Sequence, residues 1–296
     1  MGMQEREELE IVEDIELGDI DEELDAAGLR LWRKAMRSGT WDPATIDFAQ
    51  DRADFEAMEP RLQAYLERFC AAFYNAEENV ARIFGPWVMA APTTWQSAFL
   101  STQMVEEYKH TDLFERFFAE VIGHPPAAAL ANPVHDTVEA RGDRLLAALQ
   151  SGLTADDMDL RRLWVEAVTH YQGIIEGVQA NAGYQIFRNV FRGRLPGLSE
   201  GFANIQRDEG RHVGFGLQVL RTYAREDREL ARRIRELYDE YLPHIKSRYG
   251  QRYAGDDGAE YDPPEDERGV ERLMALYGRR MKDIFGDAVP AEAVPA

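Results

Sequence analysis

One cysteine, Cys70, stands in a chain of 296 residues, so no internal disulfide can form. A reducing cytoplasm is the simplest compartment for such a chain. Positive charge is scarce: 34 Lys and Arg face 54 Asp and Glu, a formal net charge of −20. A surface this acidic repels nucleic acid and anionic membranes, which removes both as expected partners. Dense carboxylates also suit a high-salt habitat. No uninterrupted apolar run is long enough to cross a bilayer. The opening stretch, MGMQEREELEIVEDIELGDIDEELDAAG, lacks the apolar core of a signal peptide. Arg6 stands where a myristoylation signal needs Ser or Thr. Alternating strand patterns with hairpin turns are missing, and so is any solenoid repeat.

Helical periodicity is what the sequence does have. An acidic leader, residues 1–25, is expected to be flexible. A single all-α domain is expected over residues 26–286, and a disordered tail over residues 287–296. Within the domain a short helix is expected from Glu22 to Arg37, and Asp42-Pro43 has the chemistry to open another. Long helices follow over Pro60–Phe84, Pro92–Val121, Thr154–Phe191 (opened by the capping sequence TADD) and Leu198–Ala224. Shorter ones are expected over Val134–Leu149, Asp227–Arg248 and Gly269–Phe285, with a polar Gly- and Pro-rich loop before the last. Helices this long suit a four-helix bundle core with additional helices around it.

The buried stripes of the four long helices carry polar residues that an apolar core would not tolerate. On the second, Phe99, Gln103, Glu107, His110, Phe114 and Phe117 recur at steps of three and four. Glu106 is expected to face solvent and pair with Lys109. On the fourth, Phe202, Ile205, Glu209, His212 and Val219 trace the same line, so Glu-x-x-His occurs twice on buried faces. On the first, Glu77 interrupts the stripe of Leu66, Phe69, Phe73, Val80 and Phe84, while Glu78 points away toward Arg82. On the third, Glu176 lies among Gln172, Gly173, Gln179, Ala180 and Gly183, where small side chains leave room. Ionised groups in a dry core cost several kcal/mol each unless something neutralises them. Two divalent cations balance four carboxylates, and carboxylate with imidazole suits iron and manganese. His124, His135 and His244 lie near helix ends or loops, and His170 reads as a hydrogen-bonding core or surface group. The Trp and Met residues on the helices read as core filling.

At these residues the chain resembles the ribonucleotide reductase small subunit superfamily of the ferritin-like fold. More narrowly, it is similar to the ligand-binding oxidases of that superfamily. The likeness spans about Leu62 to Leu220 and rests on AEENV, VEEYKHTDLF, and YQGIIEG with RDEGRH. It implies that Glu77, Glu107 and His110 hold manganese at one site, and that Glu176, Glu209 and His212 hold iron at a second. A di-iron pair is the other occupancy. The family forms an ether cross-link between a valine three residues after the first glutamate and a tyrosine five before the third. Those offsets fall on Val80 and Tyr171. The resemblance further implies dioxygen activation, an external electron donor, a long-chain fatty acid or similar apolar ligand at the metals, and a homodimer. Asp208 corresponds to the aspartate that orients a ligand histidine, here His110.

The main rival is a radical-generating ribonucleotide reductase subunit. That role usually places a tyrosine four residues after the first histidine, where this chain has Phe114, and a tyrosine in the tail, where the last ten residues have none. A desaturase-like enzyme with the same ligands and a non-enzymatic iron-binding or storage protein are the other readings.

Overall fold

The computed structural model describes residues 17–127, 133–247, 253–254, 260–261 and 269–286. Residues 1–16 of the expected leader and the expected disordered tail lie outside the described residues. The remaining residues of that expected leader, 17–25, form the first turns of a helix. Helix α1 runs Leu17–Ser38, starting five residues before the expected Glu22, because Ile20 and Leu24 are buried. Asp42 caps only a single 3-10 turn, Pro43–Thr45, by accepting the Ala44 N–H. Helix α2 then runs Ala49–Glu56.

Four long helical runs form the core. They are α3 (Pro60–Ile83), α5 (Thr94–Phe117), the run from α7 (Met158–Val168) to α8 (Asn181–Val190), and α9 (Pro196–Glu226). A short α4 (Gly85–Met89) links the first two, and five π-helical residues, Phe118–Ile122, extend α5. Helices α6 (Pro133–Gln150), α10 (Arg228–Lys246) and α11 (Gly269–Phe285) pack around the bundle, and α1 packs on α5 and α9. In the expected loop, Tyr253-Ala254 pairs antiparallel with Glu260-Tyr261 as strands β1 and β2. Among the described residues no helix is long and apolar enough to cross a membrane.

The third run departs from the uniform helix that its periodicity predicts. The Asp157 carboxylate accepts both the N–H and the hydroxyl of Thr154, so TADD closes a turn and α7 begins only at Met158, ending at Val168. Thr169–Ala180 is then π-helical, before α8 resumes over Asn181–Val190. A widened turn shifts the carbonyl ladder. Two carbonyls there gain side-chain donors: Asn181 Nδ2 donates to Glu176 O at 2.7 Å and Arg280 Nε to Gly177 O at 3.0 Å. Glu176 thus projects from a stretch whose register is set by widening.

The start of α9 is pinned by α2. Leu195, with φ 54°, precedes Pro196, and its N–H donates to Asp54 Oδ2 at 2.8 Å. Asp51, fully buried, accepts the N–H groups of Gly197 and Leu198 at 2.8 and 2.7 Å. Removing that carboxylate leaves two buried donors unpaired. Asp51→Ala is therefore expected to cost about 2 kcal/mol in urea denaturation; an unchanged midpoint would show that the cap is dispensable.

Candidate metal centre

The bundle brings the six candidate ligands into two overlapping groups. Glu77, Glu107, His110 and Glu209 each offer one atom, all within 4.8 Å of one another; Glu107, Glu176, Glu209 and His212 do the same. All six side chains are buried. Glu107 and Glu209 belong to both groups, which spacing alone does not reveal. The two Glu-x-x-His glutamates face each other across α5 and α9, while Glu77 and Glu176 close the two ends.

Both imidazoles are oriented alike. His110 turns Nδ1 inward, 3.3 Å from Glu77 Oε2 and 3.6 Å from Glu107 Oε2, and Nε2 outward to Asp208 Oδ2 at 3.3 Å. His212 turns Nδ1 to Glu107 Oε1 and Glu176 Oε1, each 3.4 Å away, and Nε2 to Glu106 Oε2 at 2.8 Å. A carboxylate behind the outer nitrogen holds the ring hydrogen there and leaves the inner nitrogen as a donor to a metal.

Burial pushes the Glu77 carboxyl up to about 7, against the pull of His110. Burial likewise pushes Glu176 up to about 7, against His212. Glu209 is raised well above the usual range by burial and by the Glu176 charge. Burial also opposes ionisation of Glu107, but the His110 hydrogen bond and the two imidazole charges outweigh it and bring it to about 2. The cluster therefore crowds acidic oxygens that ordinary solvation does not relieve. Glu107 Oε2, Glu176 Oε2, Glu209 Oε2 and His212 Nδ1 are buried with no hydrogen-bond partner. Oxygen and imidazole donors left open in this way fit two divalent cations.

The surroundings contain residues that periodicity did not flag. Glu106, expected at the surface, is 3 % exposed, because the end of α1 covers that face of α5. Its carboxylate takes Arg211 and His212 rather than Lys109, whose ammonium donates to Gly39 O at 2.7 Å. The Trp41 indole donates to Asp208 Oδ2 at 2.7 Å, a contact that no helical pattern signalled. Gln103 Nε2 donates to Glu176 Oε1 at 2.7 Å and Glu107 Oε1 at 3.2 Å. Its place one turn before Glu107 was the available signal. Glu78 and Arg82 pair at an exposed position, as their spacing predicts. His170 is buried against the Tyr241 ring and belongs to neither group.

One side of the centre is aromatic. Phe73, Phe114 and Phe202 pack mutually at 5.2 to 5.8 Å between centroids. Tyr184 closes on Phe73 and Phe202 at 5.5 and 5.8 Å. Val80 and Tyr171 are both buried. Val80 lies one turn after Glu77 and one turn before Phe84, and the Phe84 ring packs edge-on against Tyr171 at 5.7 Å. Burial and the surrounding carboxylates raise the Tyr171 phenol well above its ordinary value.

Residues 25–253 match the family model described as ribonucleotide reductase, small chain. Solved structures with the same architecture include variants of an R2-like ligand-binding oxidase. A glycine-to-phenylalanine variant with an anaerobically reconstituted Mn/Fe cofactor is 27% identical, with a TM-score of 0.73, covering 88% of this chain and 94% of that one. A valine-to-leucine variant, also reconstituted anaerobically, is 26% identical with a TM-score of 0.73, covering 87% and 93%. A tyrosine-to-phenylalanine variant with an aerobically reconstituted Mn/Fe cofactor is 25% identical with a TM-score of 0.71, covering 87% and 93%.

Proposed function

Since the chain belongs to the ribonucleotide reductase small chain family, we propose that it is a dioxygen-activating, two-metal oxidase of the ligand-binding kind. The observation that carries the reading is the pair of overlapping four-residue groups that share Glu107 and Glu209. Glu77, Glu107 and His110 would hold manganese, and Glu176, Glu209 and His212 iron, with di-iron as the other occupancy. When bound, two such cations supply dioxygen reduction and the strength to oxidise an unactivated C–H bond.

The chain's own residues then determine what is oxidised. Phe73, Phe114 and Phe202 keep water from one side of the centre. Val80 and Tyr171 are both buried, and the Phe84 ring, one turn after Val80, packs edge-on against Tyr171. Formation of the ether cross-link breaks the Val80 Cβ–H and Tyr171 O–H bonds and makes one C–O bond. Dioxygen takes up the two electrons and the two protons that these bonds release, with Glu176 as the base proposed for the phenol proton. A long-chain fatty acid, its carboxylate on the metals, is the ligand that the family resemblance suggests, and the solved relatives are described as ligand-binding. The same resemblance suggests a homodimer, and the single cysteine a reducing cytoplasm.

The family description also favours a radical-generating reductase subunit. Phe114, fully buried against Phe73 and Phe202, offers no hydroxyl where that role usually needs one.

The test is intact-mass measurement and peptide mapping before and after anaerobic loading with Mn²⁺ and Fe²⁺ followed by air. Loss of two hydrogens, located in a peptide joining Val80 to Tyr171, is expected. Unchanged mass in a chain holding both metals would overturn the cross-linking assignment, and nucleotide reduction with a large subunit would then establish the rival.

A further inference from the structure

The outer nitrogens of the two histidines lead to one shared side chain. Glu106 Oε2 meets His212 Nε2 at 2.8 Å, and Asp208 Oδ2 meets His110 Nε2 at 3.3 Å. The remaining oxygens of these carboxylates, Glu106 Oε1 and Asp208 Oδ1, both accept from Arg211 Nη2, each at 2.5 Å. Glu106, Asp208 and Arg211 are at most 3 % exposed. A continuous buried chain, His212–Glu106–Arg211–Asp208–His110, therefore runs behind the centre. The guanidinium is further fixed by Nη1 donating to Arg207 O at 3.0 Å, and Asp208 by the Trp41 indole and by Lys109 at 3.5 Å. Gly39 closes the pocket: a Cβ there would lie 2.1 Å from Glu106 Oε1 and 3.1 Å from Arg211 Nη2.

A charge-assisted bond from a planar guanidinium fixes a carboxylate in angle as well as distance. Each carboxylate in turn fixes the ring plane and hydrogen position of one histidine. We propose that Arg211 is a positioning residue common to both metal positions: it orients His110 and His212 together, through Asp208 and Glu106, so that the two cations bind as a coupled pair. The proposal rests on the two-cation reading above. It assigns to one residue an effect on both ions, and to Glu106 an effect on one.

The test is equilibrium dialysis of the full-length metal-free chain against Mn²⁺ alone, without oxygen, with bound metal measured by elemental analysis. Electron paramagnetic resonance separates a coupled Mn²⁺ pair from isolated ions, and thermal melting of each metal-free variant reports folding. The wild type is expected to hold two ions with a coupled signal. Arg211→Met is expected to weaken both by about 10–100-fold, and Arg211→Lys to recover both together in part. Glu106→Gln, which leaves the Arg211–Asp208 contact in place, is expected to weaken one ion by about tenfold or more and leave the other. Two ions held at wild-type affinity by Arg211→Met, or the loss of only one, would overturn the proposal. If Arg211→Met does not fold, Glu106→Gln decides: equal weakening of both ions, or of neither, overturns it. A wild-type chain that binds no pair would overturn this proposal and the functional reading together.

Discussion

Glu107→Gln is expected to reduce bound metal from two divalent ions per chain to fewer than one. The substitution keeps side-chain size but removes one charge and one anionic oxygen from a fully buried position. Because Glu107 lies in both four-residue groups, the loss falls on both ions. Altering a residue that merely supports a metal ligand typically costs 10–100-fold in affinity, so removing a shared ligand is expected to cost more than about 100-fold at each position. Glu77 and Glu176 each belong to a single group. Glu77→Gln and Glu176→Gln are therefore expected to leave one ion each. Elemental analysis after anaerobic dialysis separates the outcomes. Two ions retained by Glu107→Gln would show that Glu107 does not serve both positions, and both lost from Glu77→Gln that Glu77 is not confined to one. Melting of the metal-free variants, measured alongside, separates lost ligation from lost fold.

Asp21→Ala is expected to destabilise the metal-free chain by about 3 kcal/mol, the largest purely structural effect foreseen here. Arg161, on α7, is 1 % exposed. Its guanidinium donates to both oxygens of Asp21 on α1, at 2.5 and 2.8 Å, and to Ala155 O at 2.5 Å. Removing Asp21 leaves a buried cation without its counter-charge, whereas removing a surface partner leaves a cation that water can solvate. Glu23, on the same helix, binds Arg225 where both side chains are more than a third exposed. Glu23→Ala is therefore expected to cost under about 1 kcal/mol. Urea denaturation of the two variants gives the comparison, and equal effects would refute the role given to burial. The consequence reaches the metal centre, because α1 packs on α5 and α9 and leads directly to Gly39 and Trp41. Limited proteolysis of Asp21→Ala is accordingly expected to cut α1 before the core.

What the sequence determined by itself was the bundle and the six buried side chains proposed as its metal ligands. Period 3.6 ties each of Glu77, Glu107, His110, Glu176, Glu209 and His212 to an apolar stripe, and a stripe must face the core whatever its neighbours are. Charge arithmetic then called for cations, with no distance needed. The family resemblance, not periodicity, pointed to Asp208 beside His110, and periodicity misplaced Glu106. A helical wheel shows which face is polar and not whether another helix covers that face, and α1 does. The sharing of Glu107 and Glu209, the Arg211 link between two histidines and the Trp41 contact join residues up to 167 positions apart in the chain. The π-helical stretch around Glu176 was equally hidden. Of the two donors its freed carbonyls take, Asn181 is local, but Arg280 of α11 arrives only once the elements have packed. Local pattern fixes which way a side chain must face; the tertiary structure alone decides what it meets there, because the meeting partner comes from a distant part of the chain.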